Sequence, residues 1–124
     1  MKKSNKQIGN ETEKLFAQYM YQQGWWVHIL AYNQNGQPFD VVMSKDNVTW
    51  FLDVKNVESG ELFDLDRIEP NQHTAFQMLI SKGTYKCGLA VRFSDGGFYL
   101  ITYDNITKLR HNLTHINRNS MIRL

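Results

Sequence analysis

The stretch Pro38-Phe39-Asp40-Val41-Val42-Met43-Ser44-Lys45-Asp46-Asn47-Val48-Thr49-Trp50-Phe51-Leu52-Asp53-Val54-Lys55 decides the fold. Phe39–Met43 and Val48–Val57 are rich in aromatic and β-branched residues and read as strands, joined by the tight connection Lys45-Asp46-Asn47. In the second of these strands Val48, Trp50, Leu52 and Val54 alternate on one face, while Thr49, Phe51, Asp53 and Lys55 occupy the other. Asp53 and Lys55 therefore project side by side, about 6–7 Å apart along the strand. A carboxylate and an ammonium in so hydrophobic a strand are costly to bury unless they pair or bind a metal. Asp40 is a second anomaly, set between Phe39 and Val41-Val42, and hairpin pairing lets it face Asp53. Two carboxylates at that range raise each other's pKa unless a divalent cation sits between them. Hard oxygen ligands without a His/Cys set point to Mg2+ or Mn2+, not zinc.

Outward from this hairpin, the periodicity predicts a helix over 10–23, with Leu15, Phe16, Tyr19 and Met20 at helical spacing and Gly24 as its stop. Trp25–Tyr32 reads as a strand and 33–38 as a loop centred on Asn35-Gly36. After Val57, the polar stretch Glu58–Glu69 is a connection, and Pro70 opens a helix running to about Ser81. Lys86–Phe93 and Gly97–Tyr103 are strands around the turn Ser94-Asp95-Gly96; a short helix over Asp104–Leu109, capped by Asp104 or Asn105, follows. Beyond Leu113 the pattern fades. The order α-β-β-β-α-β-β makes an α+β domain whose central mixed sheet is flanked by helices.

The chain has 124 residues, enough for one domain, 1–124. Its formal charge of +2 is unevenly spread. Lys2, Lys3 and Lys6 stand in a basic N-terminal arm, 1–8, and Lys108, Arg110, Arg118 and Arg123 in the C-terminal region, whose basic tail is 110–124, around an acidic middle. Such a layout suits a cation held centrally and a polyanion held peripherally, with Lys2, Lys3, Lys6, Lys108, Arg110 and Arg118 as the candidate phosphate contacts. One cysteine, Cys87, excludes an internal disulfide framework and a multi-thiolate zinc site and fits a reducing compartment. No apolar run is long enough for a membrane span or a secretory signal, so the expectation is a cytoplasmic protein. His28, His73, His111 and His115 are isolated histidines without a third metal ligand, and the aromatic cluster Trp25, Trp26, Tyr32, Trp50 and Phe51 reads mostly as core.

Asp40 followed by Asp53-Val54-Lys55 on consecutive strands resembles the PD-(D/E)xK nuclease motif, with Pro38-Phe39-Asp40 at the place of the family's Pro-Asp. Gly9-x-x-x-Glu13 in the first helix, and Phe63-Asp64-Leu65 followed by Ile68-x-x-x-Gln72, resemble the Holliday junction resolvases of the archaeal and RecU types, over about residues 9–103. The chain departs from that pattern in placing Phe39 between the proline and Asp40 and in lacking a long inserted stalk. The resemblance implies a restriction-endonuclease-like αβββαβ core and a magnesium-dependent endonuclease that cuts four-way junctions as a homodimer, in phage or bacterial recombination and repair. It further implies Asp40 and Asp53 as metal ligands together with the backbone carbonyl of Val54, Lys55 beside the attacking water, and Gln72 as a polar group near that lysine. Glu13 is the implied helix ligand by its spacing from Gly9, whereas helical geometry alone leaves Glu11 as its competitor. Another nuclease of this fold, or a silent DNA-binding module, is the alternative function.

Overall fold

In a computed structural model residues 2–30 and 37–124 are described, so the 33–36 part of the loop and the last residues of the strand expected to reach Tyr32 lie outside them. Helix α1 (Asn5–Gln22) begins five residues before the helix expected from the apolar stripe. Ser4 caps it: its Oγ accepts the Gln7 N–H at 3.2 Å, and Gln7 Oε1 accepts the Ser4 N–H at 2.8 Å. Much of the expected N-terminal arm is thus the first turn of a helix.

Strands β1 (Trp26–Ile29), β2 (Val41–Lys45) and β3 (Val48–Asn56) form an antiparallel meander. Asp46 and Asn47, at φ 50° and 66°, make the two-residue turn between β2 and β3. Positive φ at both turn positions matches the right-handed twist of a tight hairpin and sets Lys45 opposite Val48 and Val41 opposite Leu52.

Helix α2 (Pro70–Ser81) carries the chain to β5 (Cys87–Arg92), which lies parallel to β3; β6 (Phe98–Thr102) then returns antiparallel. The segment expected to be a plain connection holds β4 (Leu62–Asp64) and a 3-10 turn over Leu65–Arg67. Helix α3 (Tyr103–Leu109) is capped by the Thr102 hydroxyl, which accepts the Asn105 N–H at 3.2 Å, in place of Asp104 or Asn105. The expected tail is also structured. Strand β7 (His115–Asn117) pairs with β4, and β8 (Ile122–Arg123) pairs with β6, so the main sheet runs β1-β2-β3-β5-β6-β8. These pairings are non-local, and no periodicity announces them. They also place His115 on a strand, so no helical face joins it to His111.

The alternation along β3 divides the core. Leu52 and Val54 join Phe16, Met20, Val41 and Ala90 beneath α1, whereas Phe51 packs with Phe63, Phe76, Leu89 and Val91 beneath α2. Gly88 sits mid-sheet, paired with Leu52 and Thr102, at φ +157°. A Cβ there would run into the carbonyl oxygen of Ile101 and lie 2.9 Å from Thr102 Cα. Gly88→Ala is expected to lower stability by about 3 kcal/mol, read from urea unfolding midpoints; an unchanged midpoint would show that β6 yields without cost. Among the described residues no helix is long and apolar enough to cross a membrane.

Candidate active site

Asp40 stands one residue before β2, stitched on both sides. Its N–H donates to the Leu52 carbonyl at 2.9 Å, and its own carbonyl accepts the Leu30 N–H at 2.8 Å. One step along the Val41–Leu52 register it lies across from Asp53. Asp40 Oδ2 accepts the Val54 N–H at 2.9 Å, so the Val54 backbone reaches the site through its donor. Asp53 is 1% exposed, and Lys55 Nζ stands 3.1 Å from its Oδ2. That approach is an ion pair without hydrogen-bond alignment, and Oδ2 is left shielded from water with no donor.

Helices from both faces of the sheet meet at this corner. Glu13 of α1, Gln72 of α2 and Glu69 just before that helix line, with Asp40, Asp53 and Lys55, a cavity of about 420 Å³. Glu11 is exposed and bound to Lys3 at 2.8 Å, so the tertiary fold distinguishes two acids that helical geometry left equal. Gln72 is 5% exposed, and its Oε1 accepts the Glu69 N–H at 2.9 Å. It caps α2 and borders the pocket at once, because the first turn of that helix is part of the pocket wall. Lys14, Gln37 and Glu69 also line the cavity. The sequence does not single them out; only the capping role of Glu69, just before Pro70, left a signal.

Asp40 connects the other two carboxylates. Burial, then the Asp40 charge and a hydrogen-bonding contact with its carboxyl, push Glu13 from 4.5 up to about 7. Burial foremost, then the same two influences of Asp40, hold Asp53 well above the usual range against the opposing pull of Lys55. An acid raised in this way stabilises the fold fully below its ordinary pKa and loses that contribution as pH rises through the raised value. In the absence of divalent ions the melting temperature is therefore expected to fall between pH 4.5 and about 7 on this account. His73, held low by burial and Arg110, acts in the opposite sense near 6.5, so the test is a comparison. Glu13→Gln flattens the fall in thermal melts with chelator present; a profile parallel to wild type would contradict the coupling.

Among the described residues no group of three or more His, Cys, Asp or Glu side chains is gathered closely enough to form a ready metal cage. The donors nevertheless suit a hard divalent cation. They are carboxylate oxygens that repel one another, and one of them is buried with no hydrogen-bond donor.

The distant basic residues are placed differently. Lys108 pairs with Asp104 at 2.9 Å, and Arg118 with Glu61 at 3.0 Å and Asp95 at 3.3 Å. Arg110 and Lys108 border a separate hollow with His111. Lys2 and Lys6, by contrast, border a cleft that Lys55 shares.

No family model matches the chain, and no curated protein matches it in sequence. A solved structure does match in fold: Hjc of Archaeoglobus fulgidus, a Holliday junction resolvase from an archaeal hyperthermophile, aligns with a TM-score of 0.67. The match covers 93% of this chain and 95% of that one, at 12% identity. The chain has the Hjc fold. The sheet of mixed direction with α1 and α2 on its two faces is thus a restriction-endonuclease-like architecture, as the sequence led one to expect.

Proposed function

We propose that this protein is a divalent-cation-dependent endonuclease that cuts branched DNA, foremost a four-way junction, as a homodimer. The observation that carries this is the corner where Asp40 and Asp53 oppose each other across β2 and β3 with the Lys55 ammonium 3.1 Å from Asp53. The Hjc likeness in fold supports the choice of substrate.

Asp40, Asp53 and Glu13, with the Val54 carbonyl, are the residues that would hold Mg2+ or Mn2+. When bound, such a cation supplies Lewis acidity toward a phosphate oxygen and lowers the pKa of water. Lys55 directs its charge at the same phosphate and offsets the negative charge that builds on its oxygens during in-line attack. Asp53 anchors that ammonium, and Gln72, fixed by its cap, is a polar group of the same pocket. A four-way junction has near two-fold symmetry and needs paired nicks, which two active sites related by a dyad provide.

The test is a gel assay of wild type with magnesium on a labelled four-way junction, linear duplex and single strand of matching sequence. Paired nicks confined to the junction are expected. Equal cutting of linear duplex would leave a nuclease without junction preference, and no cutting of any DNA with Mg2+ or Mn2+ would overturn the enzyme.

A further inference from the structure

The catalytic cavity does not end at Lys55. Across Lys55 and Glu69 it continues into a cleft of about 580 Å³ bordered by Lys2, Lys6 and Arg67. At Asn56 and Glu58 that cleft meets a hollow of about 190 Å³ that contains Arg92. The row lies over the carboxyl ends of the parallel strands β3 and β5, the end at which sheets of this kind take ligands.

Along this row Lys55 is paired with Asp53 at 3.1 Å, and the two arginines are held without a carboxylate. Lys3, Lys108 and Arg118 are each neutralised by a carboxylate at 2.8–3.0 Å. Among the described residues Lys2, Arg67 and Arg92 take part in no salt bridge. Arg67 is held by neutral groups instead: its Nη1 donates to the Asn56 carbonyl at 2.8 Å, and its guanidinium lies 5.4 Å from the centre of the Phe63 ring. The Arg92 Nε–H is shielded from water and donates no hydrogen bond. A buried guanidinium donor without an acceptor is costly, and phosphate oxygens match a guanidinium fork better than other common acceptors. Glu58 and Glu69 border the cleft and hollow beyond the cavity, where Lys2, Lys6, Lys55, Arg67 and Arg92 outnumber them.

We infer that this row is a track for a DNA backbone, on which Arg67 and Arg92 hold successive phosphates beyond the one at Lys55. The assignment of the Lys55 end rests on the proposed nuclease. The track extends the contacts expected of the N-terminal lysines to two arginines from elements far apart in sequence, the 3-10 turn and the end of β5.

The experiment is fluorescence anisotropy of a labelled four-way junction and a linear duplex with the full chain, in chelator, across 50–200 mM salt. The double change Arg67→Gln/Arg92→Gln is expected to weaken binding about tenfold at 100 mM salt and to reduce the salt slope by about 2. Arg67→Lys/Arg92→Lys keeps most of the affinity, because the charge remains. Lys82→Gln/Lys86→Gln, near the amino end of β5, stays within about twofold of wild type. Circular dichroism checks that each variant is folded. A folded Gln double variant with wild-type affinity and slope, or an equal loss in the Lys82/Lys86 control, would overturn the track. Cleavage with magnesium is read separately. Binding that depends on the arginines in a protein that cuts no DNA would uphold the track and remove the nuclease. Cutting by wild type with binding indifferent to the arginines would do the reverse.

Discussion

Asp53→Asn is expected to reduce magnesium-dependent cleavage of a four-way junction by about a thousandfold or more, the scale of several kcal/mol of lost transition-state stabilisation. Asparagine keeps the shape of the side chain but replaces the carboxyl whose Oδ2 is buried without a hydrogen-bond donor, in a site of opposed acids. The same change should abolish magnesium-induced stabilisation. A ligand at a hundred times its dissociation constant adds about 2.7 kcal/mol to the wild type, which a thermal shift readily detects. The variant should show no shift. Equal cutting by both proteins, or equal thermal shifts, would reject Asp53 as the ligand.

Lys55→Gln is expected to slow cleavage about a hundredfold at saturating DNA, while DNA affinity changes only a few-fold. The lysine side chain is 14% exposed and its ammonium faces Asp53, so its charge acts where water screens it poorly. A single phosphate contact among several contributes little to affinity, whereas charge building on the reacting phosphate depends on it. The rate constant and the binding constant are measured separately. Equal losses in both would make Lys55 an ordinary phosphate contact, and a normal rate would make its pair with Asp53 structural only.

The centre of the fold was legible because its determinants are local. A two-residue period along β3 separates the apolar side chains from Asp53 and Lys55, and turn residues able to take positive φ at Asp46-Asn47 set the register that brings Asp40 across from Asp53. Helix α2 was legible for a similar reason, with Pro70 at its start and apolar residues at its period. The early start of α1 had a local sign as well, the Ser4–Gln7 capping box, which lies before the apolar stripe.

Other features depend on partners far away in the chain. The pairing of β4 with β7 and of β8 with β6 joins short segments with no period to read, and it converts an apparent tail into part of the sheet system. Arg118 looks like a free basic residue until β7 brings it to Glu61 and Asp95. Glu11 and Glu13 flank the same helical stripe, and only the docking of α1 on the sheet turns one toward Asp40 and the other toward Lys3. By itself, then, the sequence determined the hairpin, its faces and the acids and lysine it carries, since strand period and turn chemistry act between near neighbours. The tertiary structure alone decided which helix acid joins them and which cations face the cleft, since those choices follow from contacts between elements that the chain's local order does not encode.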